Sequence, residues 1–287
     1  MIQYLREVID MALKLKKTIS ILTAVVMMLG VFSLYSCDSN EKEESSLRAS
    51  ESPAEKFKLK IGSYNIAHCR FAEFNPQTIA DDIAAQELDI IGIQEVDRFC
   101  ERSKFYDMAE LLSRFTGYHY AYSKAIDLQG NKAAFGQDGE YGTLILSKYP
   151  IVKSETFMLE SGDREQRVLG YARINVDGKE IDFYNTHLSL EPELRPNQFE
   201  FIAEKVKSSK SCIVTGDFNV ESLNEFDAIP LNKINREDNK LITFPEEKIA
   251  IDNILFTDNI KALSNGVTDT KNSDHYMLTA ELEITVE

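Results

Sequence analysis

Six short segments set carboxylates, carboxamides and imidazoles at the ends of apolar runs: Ser63-Tyr64-Asn65, Gln94-Glu95 in the run from Asp89 to Asp97, Thr186-His187, Gly216-Asp217-Phe218-Asn219, Ile251-Asp252 and Asp274-His275. An apolar run that stops at a polar group reads as a strand leaving a core, so these groups gather at one rim. Carboxylates and imidazoles collected there are what a divalent-metal hydrolase needs: hard oxygens for an ion, and groups that move a proton. Glu95 closes a strand of six mostly apolar residues and is the leading ligand for a hard cation such as Mg²⁺, with Mn²⁺ as a substitute. The Asn65 carboxamide can touch an ion or a phosphate without adding charge; an Asn at a strand end is also an ordinary turn former. Asp217 and Asn219 are separated by one residue, so in extended backbone they point the same way while Phe218 turns into the core.

The elements that must hold these groups follow from periodicity. Strands are expected over Phe57 to Ile66, where Phe57, Leu59 and Ile61 share a face, and over Asp89 to Gln94, His119 to Tyr122, Gly142 to Ser147, Val168 to Val176 and Ile181 to Thr186. Asp177-Gly178 supplies the tight turn joining the last two. Cys212 to Asn219, Ile251 to Phe256 and His275 to Ile284 complete the set. Helices are expected from Pro76 to Gln86, capped by Asn75, from about Phe105 to Phe115, and from about Glu193 to Ser209. Several strands arrive as hairpins, so the chain is not a simple alternation of strands and helices. It reads as one α+β sandwich domain, two packed mixed sheets flanked by helices, with no internal repeat at fixed spacing. Substrate-selecting loops are expected at 66–75, 98–104, 127–140 and 189–197, the third of them mobile because it carries three glycines.

Gln94-Glu95, Thr186-His187-Leu188, Gly216-Asp217-Phe218-Asn219 and Ser273-Asp274-His275, in this order, resemble the endonuclease/exonuclease/phosphatase family of DNase I-like metal-dependent phosphoesterases across essentially all of 56–287. The resemblance implies a four-layered α/β sandwich and hydrolysis of phosphate esters. It implies that Asp217 orients or deprotonates the attacking water, that Asn219 stabilises the transition state, and that His275 works at the scissile phosphate while Asp252 holds its ring. It sets His187 beside a non-bridging oxygen or the leaving group, Asn65 at the metal or the phosphate, and Asp274 on the metal side with Glu95. Arg167 resembles a basic residue that secreted relatives set beside the phosphate, where its planar fork can clamp two oxygens; a surface salt bridge is the alternative. Ala250 and Asn253 stand where the family often has Arg and Tyr, so contacts made by those groups are missing here. His68 and His119 lack an equally specific setting.

The first 55 residues do not read as core. Lys14, Lys16 and Lys17 precede an apolar stretch from Ile19 to Leu34 that ends at Ser36-Cys37, the pattern of a signal segment over 1–37, and Leu34-Tyr35-Ser36-Cys37 resembles a bacterial lipobox. Lipidation of Cys37 would make an exported lipoprotein of the bacterial cell envelope, with 38–55 as a flexible acidic tether and 56–287 as the catalytic domain. Met11 would make a cleaner start than Met1. Without the six basic and eight acidic residues of its first 55, the chain keeps 26 Lys plus Arg against 39 Asp plus Glu, a formal charge of −13. That surface repels polyanions, which disfavours nucleic acid as a partner and leaves a smaller phosphate ester as the substrate of a monomer. Cys212 reads as a buried small hydrophobe, whereas Cys69 and Cys100 lie just past neighbouring strand ends and are candidates for a disulfide in an oxidising envelope.

Overall fold

The computed structural model describes residues 55–286, apart from 131, 133–135 and 137. The signal segment, Cys37 and the tether lie outside the described residues, except that Glu55, assigned to the tether, already pairs with Val286. Among the described residues, twelve strands form two six-stranded sheets. The first has the order β11 (Ile260–Thr268), β12 (Met277–Val286), β1 (Glu55–Asn65), β2 (Ile90–Arg98), β4 (Gly139–Ser147), β3 (His119–Leu128). The second runs β5 (Ile151–Met158), β6 (Val168–Val176), β7 (Lys179–His187), β8 (Cys212–Asp217), β10 (Asp252–Phe256), β9 (Asn232–Lys233).

Each sheet has one parallel pair at its centre, β1 with β2 and β7 with β8, and is antiparallel elsewhere. A parallel pair needs a crossover. Helix α1 (Pro76–Ala85) supplies it in the first sheet and α3 (Arg195–Val206) in the second. Both crossovers end with their strands running toward the same rim. Asn75 caps α1 by accepting from the Gln77 amide at 3.1 Å, with Pro76 in the first turn where its missing N–H costs nothing. Helix α2 (Met108–Thr116) starts three residues later than expected because Asp107 caps it, accepting from the Glu110 amide, and it stops at Gly117, whose φ of 73° closes the last turn.

Apolar faces stack as four layers. Leu59, Ile61, Phe183, Ile213, Ile254 and Leu282 fill the space between the sheets. Ile79 and Ile83 of α1 and Met108 and Leu112 of α2 cover the outer face of the first sheet on Ile91, Ile93 and Leu144. Phe199 and Ile202 of α3 cover the second on Val214 and Leu255. The fold is therefore the α+β DNase I-like sandwich. Strands β5, β9 and β11 had not been expected. The segment 127–140 contains less loop than expected, since β3 runs to Leu128 and β4 begins at Gly139. The bridge between Cys69 and Cys100 is absent. Both are buried free thiols: Cys69 is packed among the side chains under α1, and the Cys100 sulfur donates to the Glu140 carbonyl at 3.1 Å, so they face different surroundings. Cys212 is a buried free thiol in the α3 layer, as its apolar strand implied.

Candidate active site

Strands β1, β2, β7 and β8 run parallel to one another within their pairs, and β10 and β12 are antiparallel to β8 and β1, so the ends of the first group and the starts of the second share a rim. The register brings His187 opposite Asp217, and Asp217 opposite Asp252. Glu95 does not end its strand: β2 continues to Arg98, and the pairing with β4 slips between Ile93 and Val96. Glu95 sits in that irregularity with a φ of 58°, so a bulge rather than a strand terminus turns its carboxylate toward the rim. A left-handed φ on a non-glycine residue is strained and is held only by its surroundings.

Asn65 is buried and links the two sheets. Its Nδ2 donates to Glu95 Oε1 at 3.1 Å and to Asp217 Oδ2 at 2.9 Å, while its Oδ1 accepts from the Ala67 amide at 3.0 Å. The Ala67 N–H fixes which end of the amide faces which way, and Asn65 thus meets the carboxylates as a donor. His68 adds a contact of 3.4 Å from Nδ1 to Glu95 Oε2, on a turn where Ala67, His68 and Cys69 all have positive φ. Burial works to raise the Glu95 carboxyl, but hydrogen bonds, first from His68 and then from Asn65, outweigh it and hold the group down at about 2.

Around Asp217 Oδ2 stand three nitrogens: Asn65 Nδ2, His187 Nε2 at 3.5 Å and His275 Nε2 at 3.6 Å. Asp252 Oδ2 meets His275 Nδ1 at 3.0 Å, which leaves Nε2 as the edge turned to Asp217. The Asp217 carboxyl is raised, first by burial and then by the charge of Asp252. His275 is raised as well: burial opposes its charged form, but Asp252 and Asp217 overcome that opposition. His187 goes the other way, lowered by burial and then by the Arg167 cation. Two imidazoles thus flank one carboxylate with their pKa values pushed in opposite directions, the separation that acid and base roles require.

Asn219 departs from the extended geometry expected of it. Its φ is 50°, its amide donates to Asp217 Oδ1 at 3.1 Å, and its Nδ2 donates to the Leu188 carbonyl at 3.0 Å. Phe218 is nevertheless turned fully into the core. Asp274 lies at the mouth, where Arg70 binds its Oδ2 at 2.6 Å. Arg167 lies at the wall, 6 % exposed, with Nη1 on Glu165 at 2.9 Å. Glu95, Arg167, His187, Asp217, Asn219, Asp274 and His275 all line one cavity of about 720 Å³, to which His68, Arg102, Tyr141 and Phe244 also contribute. His119 is exposed on β3 and is not among the lining residues. Asn253 is buried and structural: its Oδ1 accepts from the Asn235 and Ile254 amides and its Nδ2 donates to the Asn235 carbonyl.

Beneath the site lies a polar layer that the segment pattern did not reveal. Gln94 Nε2 donates to Asn185 Oδ1 at 2.7 Å, Thr215 Oγ1 donates to the same oxygen at 3.1 Å, and Asn185 Nδ2 returns to the Ile93 carbonyl at 2.9 Å. These side chains cross from one sheet to the other, and Gly92 leaves them room: a Cβ there would lie 2.0 Å from Thr215 Oγ1. Ser63, Asn185 and Thr215 stand two residues before Asn65, His187 and Asp217, a spacing that could have flagged them, because side chains two apart on a strand share a face.

A profile described as the Endonuclease/Exonuclease/phosphatase family matches residues 62–275, most of the described body. The chain belongs to that family. The uncharacterized protein YbhP of Escherichia coli is 29 % identical over 175 residues, which cover 58 % of this chain and 68 % of YbhP. A crystal structure of an endonuclease/exonuclease/phosphatase from Beutenbergia cavernae superposes with a TM-score of 0.66 at 18 % identity, covering 79 % of this chain and 72 % of that one. One from Bacteroides vulgatus gives 0.62 at 22 % identity, covering 79 % and 99 %. Asp217, Asp252 and His275 bring one ligand atom each within 4.8 Å of one another. Asp252 Oδ1 is buried with no hydrogen-bond partner among the described residues, so this acidic–imidazole cluster fits a divalent cation. Fold, family and cluster together support a metal-dependent phosphoesterase activity.

Proposed function

We propose that the protein is a Mg²⁺-dependent phosphodiesterase acting on a small or lipid-linked phosphate ester. The observation that carries this reading is the convergence of Glu95, Asp217 and His275 on one cavity, with Asp252 buried behind the His275 ring and the Asn65 amide joining Glu95 to Asp217. Glu95 and Asp274, with the carboxylates of Asp217 and Asp252 nearby, would hold the ion, for which Mn²⁺ is a substitute; the charged His275 has no lone pair for it. When bound, a divalent cation supplies positive charge against the phosphoryl oxygens. Asp217, ionised, accepts a proton from the attacking water. His275, kept charged by Asp252, donates from Nε2 to the developing charge on phosphate or to the leaving oxygen. His187, neutral and wedged between Arg167 and Asp217, donates to a non-bridging oxygen. Asn65 holds Glu95 and Asp217 at a fixed separation.

The formal charge of −13 on the body favours a non-polymeric ester over nucleic acid. Export, a lipid on Cys37 and a place in the bacterial cell envelope as a monomer belong to the same reading, since a tethered hydrolase would meet lipid-linked esters. Hydrolysis of bis-p-nitrophenyl phosphate, sphingomyelin, phosphoinositides and plasmid DNA, each in Mg²⁺ and in EDTA, tests it. Nicking of DNA faster than every small or lipid ester would replace it with a nuclease. Hydrolysis confined to monoesters would favour a phosphomonoesterase, a second reading that the two arginines in the cavity wall support. Mg²⁺-dependent binding without turnover on the whole panel would leave a binding module.

A further inference from the structure

Two arginines line the cavity, and both are oriented in ways that solubility does not require. Asp97 is fully buried, yet its carboxylate is spent on Arg102: Oδ2 accepts from Nε at 2.8 Å and Oδ1 from Nη2 at 2.7 Å. A buried carboxylate is costly unless its partner is fixed in return, and this fork-to-fork pair fixes the guanidinium plane. The plane lies by the Tyr141 ring, with Cζ 5.2 Å from its centroid. Arg102 Nη1 has no partner among the described residues and belongs to a side chain that is 43 % exposed in the cavity wall. Arg167 is the opposite case. It is buried, and among the described residues its Nε has no hydrogen-bond partner and its one ion pair is with Glu165, whose side chain is 44 % exposed. A buried N–H without an acceptor is expensive, and here it belongs to a group that lines an open cavity. The Tyr141 hydroxyl lies within electrostatic reach of both guanidinium groups and of Glu95. Two oriented guanidinium groups on one wall therefore face a cavity whose other charged members are chiefly carboxylates and imidazoles.

We propose that Arg102, Tyr141 and Arg167 form an anion subsite beside the hydrolytic centre, so that the preferred ester carries a second anionic group, phosphate or carboxylate, besides the phosphate that is cleaved. The substrate half of this rests on the phosphoesterase reading; the binding half does not. Arg102 is a specificity residue: it lies on the bulged strand's loop, held by Asp97 rather than by any group of the hydrolytic centre.

Calorimetric titration of the full-length protein with methylenediphosphonate and with inorganic phosphate, both in EDTA, measures the subsite without metal or turnover. The diphosphonate should bind more tightly than phosphate, and Arg102→Met should weaken it on the order of 10-fold, the scale of a charge-assisted hydrogen bond. Because Arg102→Met strands a buried carboxylate, the paired Asp97→Asn/Arg102→Met variant is titrated beside it, with circular dichroism to establish folding. In Mg²⁺, kcat/KM for glycerophosphoinositol 4-phosphate should fall by about 10-fold in both variants while that for glycerophosphoinositol changes little. Equal loss on the two esters, or diphosphonate affinity unchanged in the folded double variant, overturns the subsite. No hydrolysis of either ester by the wild type, with diphosphonate binding that depends on Arg102, would overturn the proposed activity and leave the subsite standing.

Discussion

Asp217→Asn should make the metal-free protein more stable while removing most of its turnover. Asp217 is buried, and burial followed by the charge of Asp252 raises its carboxyl from 3.8 to about 7. In the unfolded chain the same group ionises near its ordinary value. Between those two values the unfolded state gives up its proton first, so folding stability falls as pH rises through the window and stays lowered above it. A rise of that size costs on the order of 4 kcal/mol. Asparagine removes that penalty but brings one of its own: its Oδ1 can keep the Asn219 amide, whereas its NH₂ then meets the Asn65 NH₂, a lost hydrogen bond that costs about 1–3 kcal/mol. His275 retains Asp252 at 3.0 Å. The balance is about 2 kcal/mol in favour of the variant, which in a domain of this size raises Tm by about 4–8 °C.

Circular-dichroism melts in EDTA at about pH 8 and about pH 4 measure this: the gain is present at the first, and at the second, where the ionisation penalty is gone but the lost hydrogen bond remains, the order reverses by about 1–3 kcal/mol. Saturating Mg²⁺ should narrow or reverse the order, since binding stabilises the wild type and the variant has lost a carboxylate. Turnover in Mg²⁺ should fall by about 100-fold or more. A variant that melts below the wild type in EDTA near pH 8, or whose advantage does not shrink toward pH 4, refutes the picture of a strained, ionised Asp217. Near-normal turnover at every Mg²⁺ concentration refutes its role with water.

Glu95→Gln should raise the Mg²⁺ concentration for half activity rather than abolish turnover at saturation, read from a metal titration of activity; an unchanged midpoint removes Glu95 from the ion's surroundings. Gly92→Ala should lower stability by about 2–3 kcal/mol in urea unfolding, because the added carbon is driven into Thr215 and the Asn185 amide; a change under about 0.5 kcal/mol would mean that the layer gives way freely. Reductant should leave the melting temperature unchanged, since Cys69 and Cys100 are free thiols. A fall of several degrees on reduction would restore the bridge.

The alternation of apolar and polar residues made β6 legible to the residue, because both its faces are covered and its turn to β7 is an Asp-Gly pair. Strand β5 escaped for the opposite reason. Its exposed and half-buried residues, Val152 and Met158 among them, lie on a sheet edge and carry no core signal. Strand β11 is another edge, with polar Ser264, Asn265 and a glycine in its middle. In the site, the order of the segments marked which side chains meet, while their geometry depended on backbone turns that residue type does not encode. Glu95 and Asn219 both have φ near +50 to +60°. Neither is a glycine, so nothing in the sequence announces a left-handed residue there, and the extended backbone assumed for Asn219 gave its side chain the wrong neighbour.

The polar layer under the rim links stability to chemistry. Asn185, Gln94 and Thr215 are fully buried and share one acceptor: Gln94 Nε2 crosses between the sheets to Asn185 Oδ1 and Thr215 Oγ1 reaches the same oxygen from the neighbouring strand, while Gln94 Oε1 has no partner among the described residues. The strand register fixes His187 and Asp217 two residues further along their strands and sets Asn65 opposite Gln94. Sheet separation at the rim is thus set by hydrogen bonds of defined length rather than by apolar packing, which tolerates sliding. Asn65 extends this logic one layer outward, bridging Glu95 on the first sheet and Asp217 on the second with a single NH₂. Two carboxylates so close repel, and the amide that holds them contributes no net charge to offset that repulsion. The site therefore keeps an unspent demand for positive charge, strongest where Asp252 Oδ1 lies without a partner. A divalent cation and a charged His275 meet that demand, and an incoming phosphoryl group, itself anionic, deepens it.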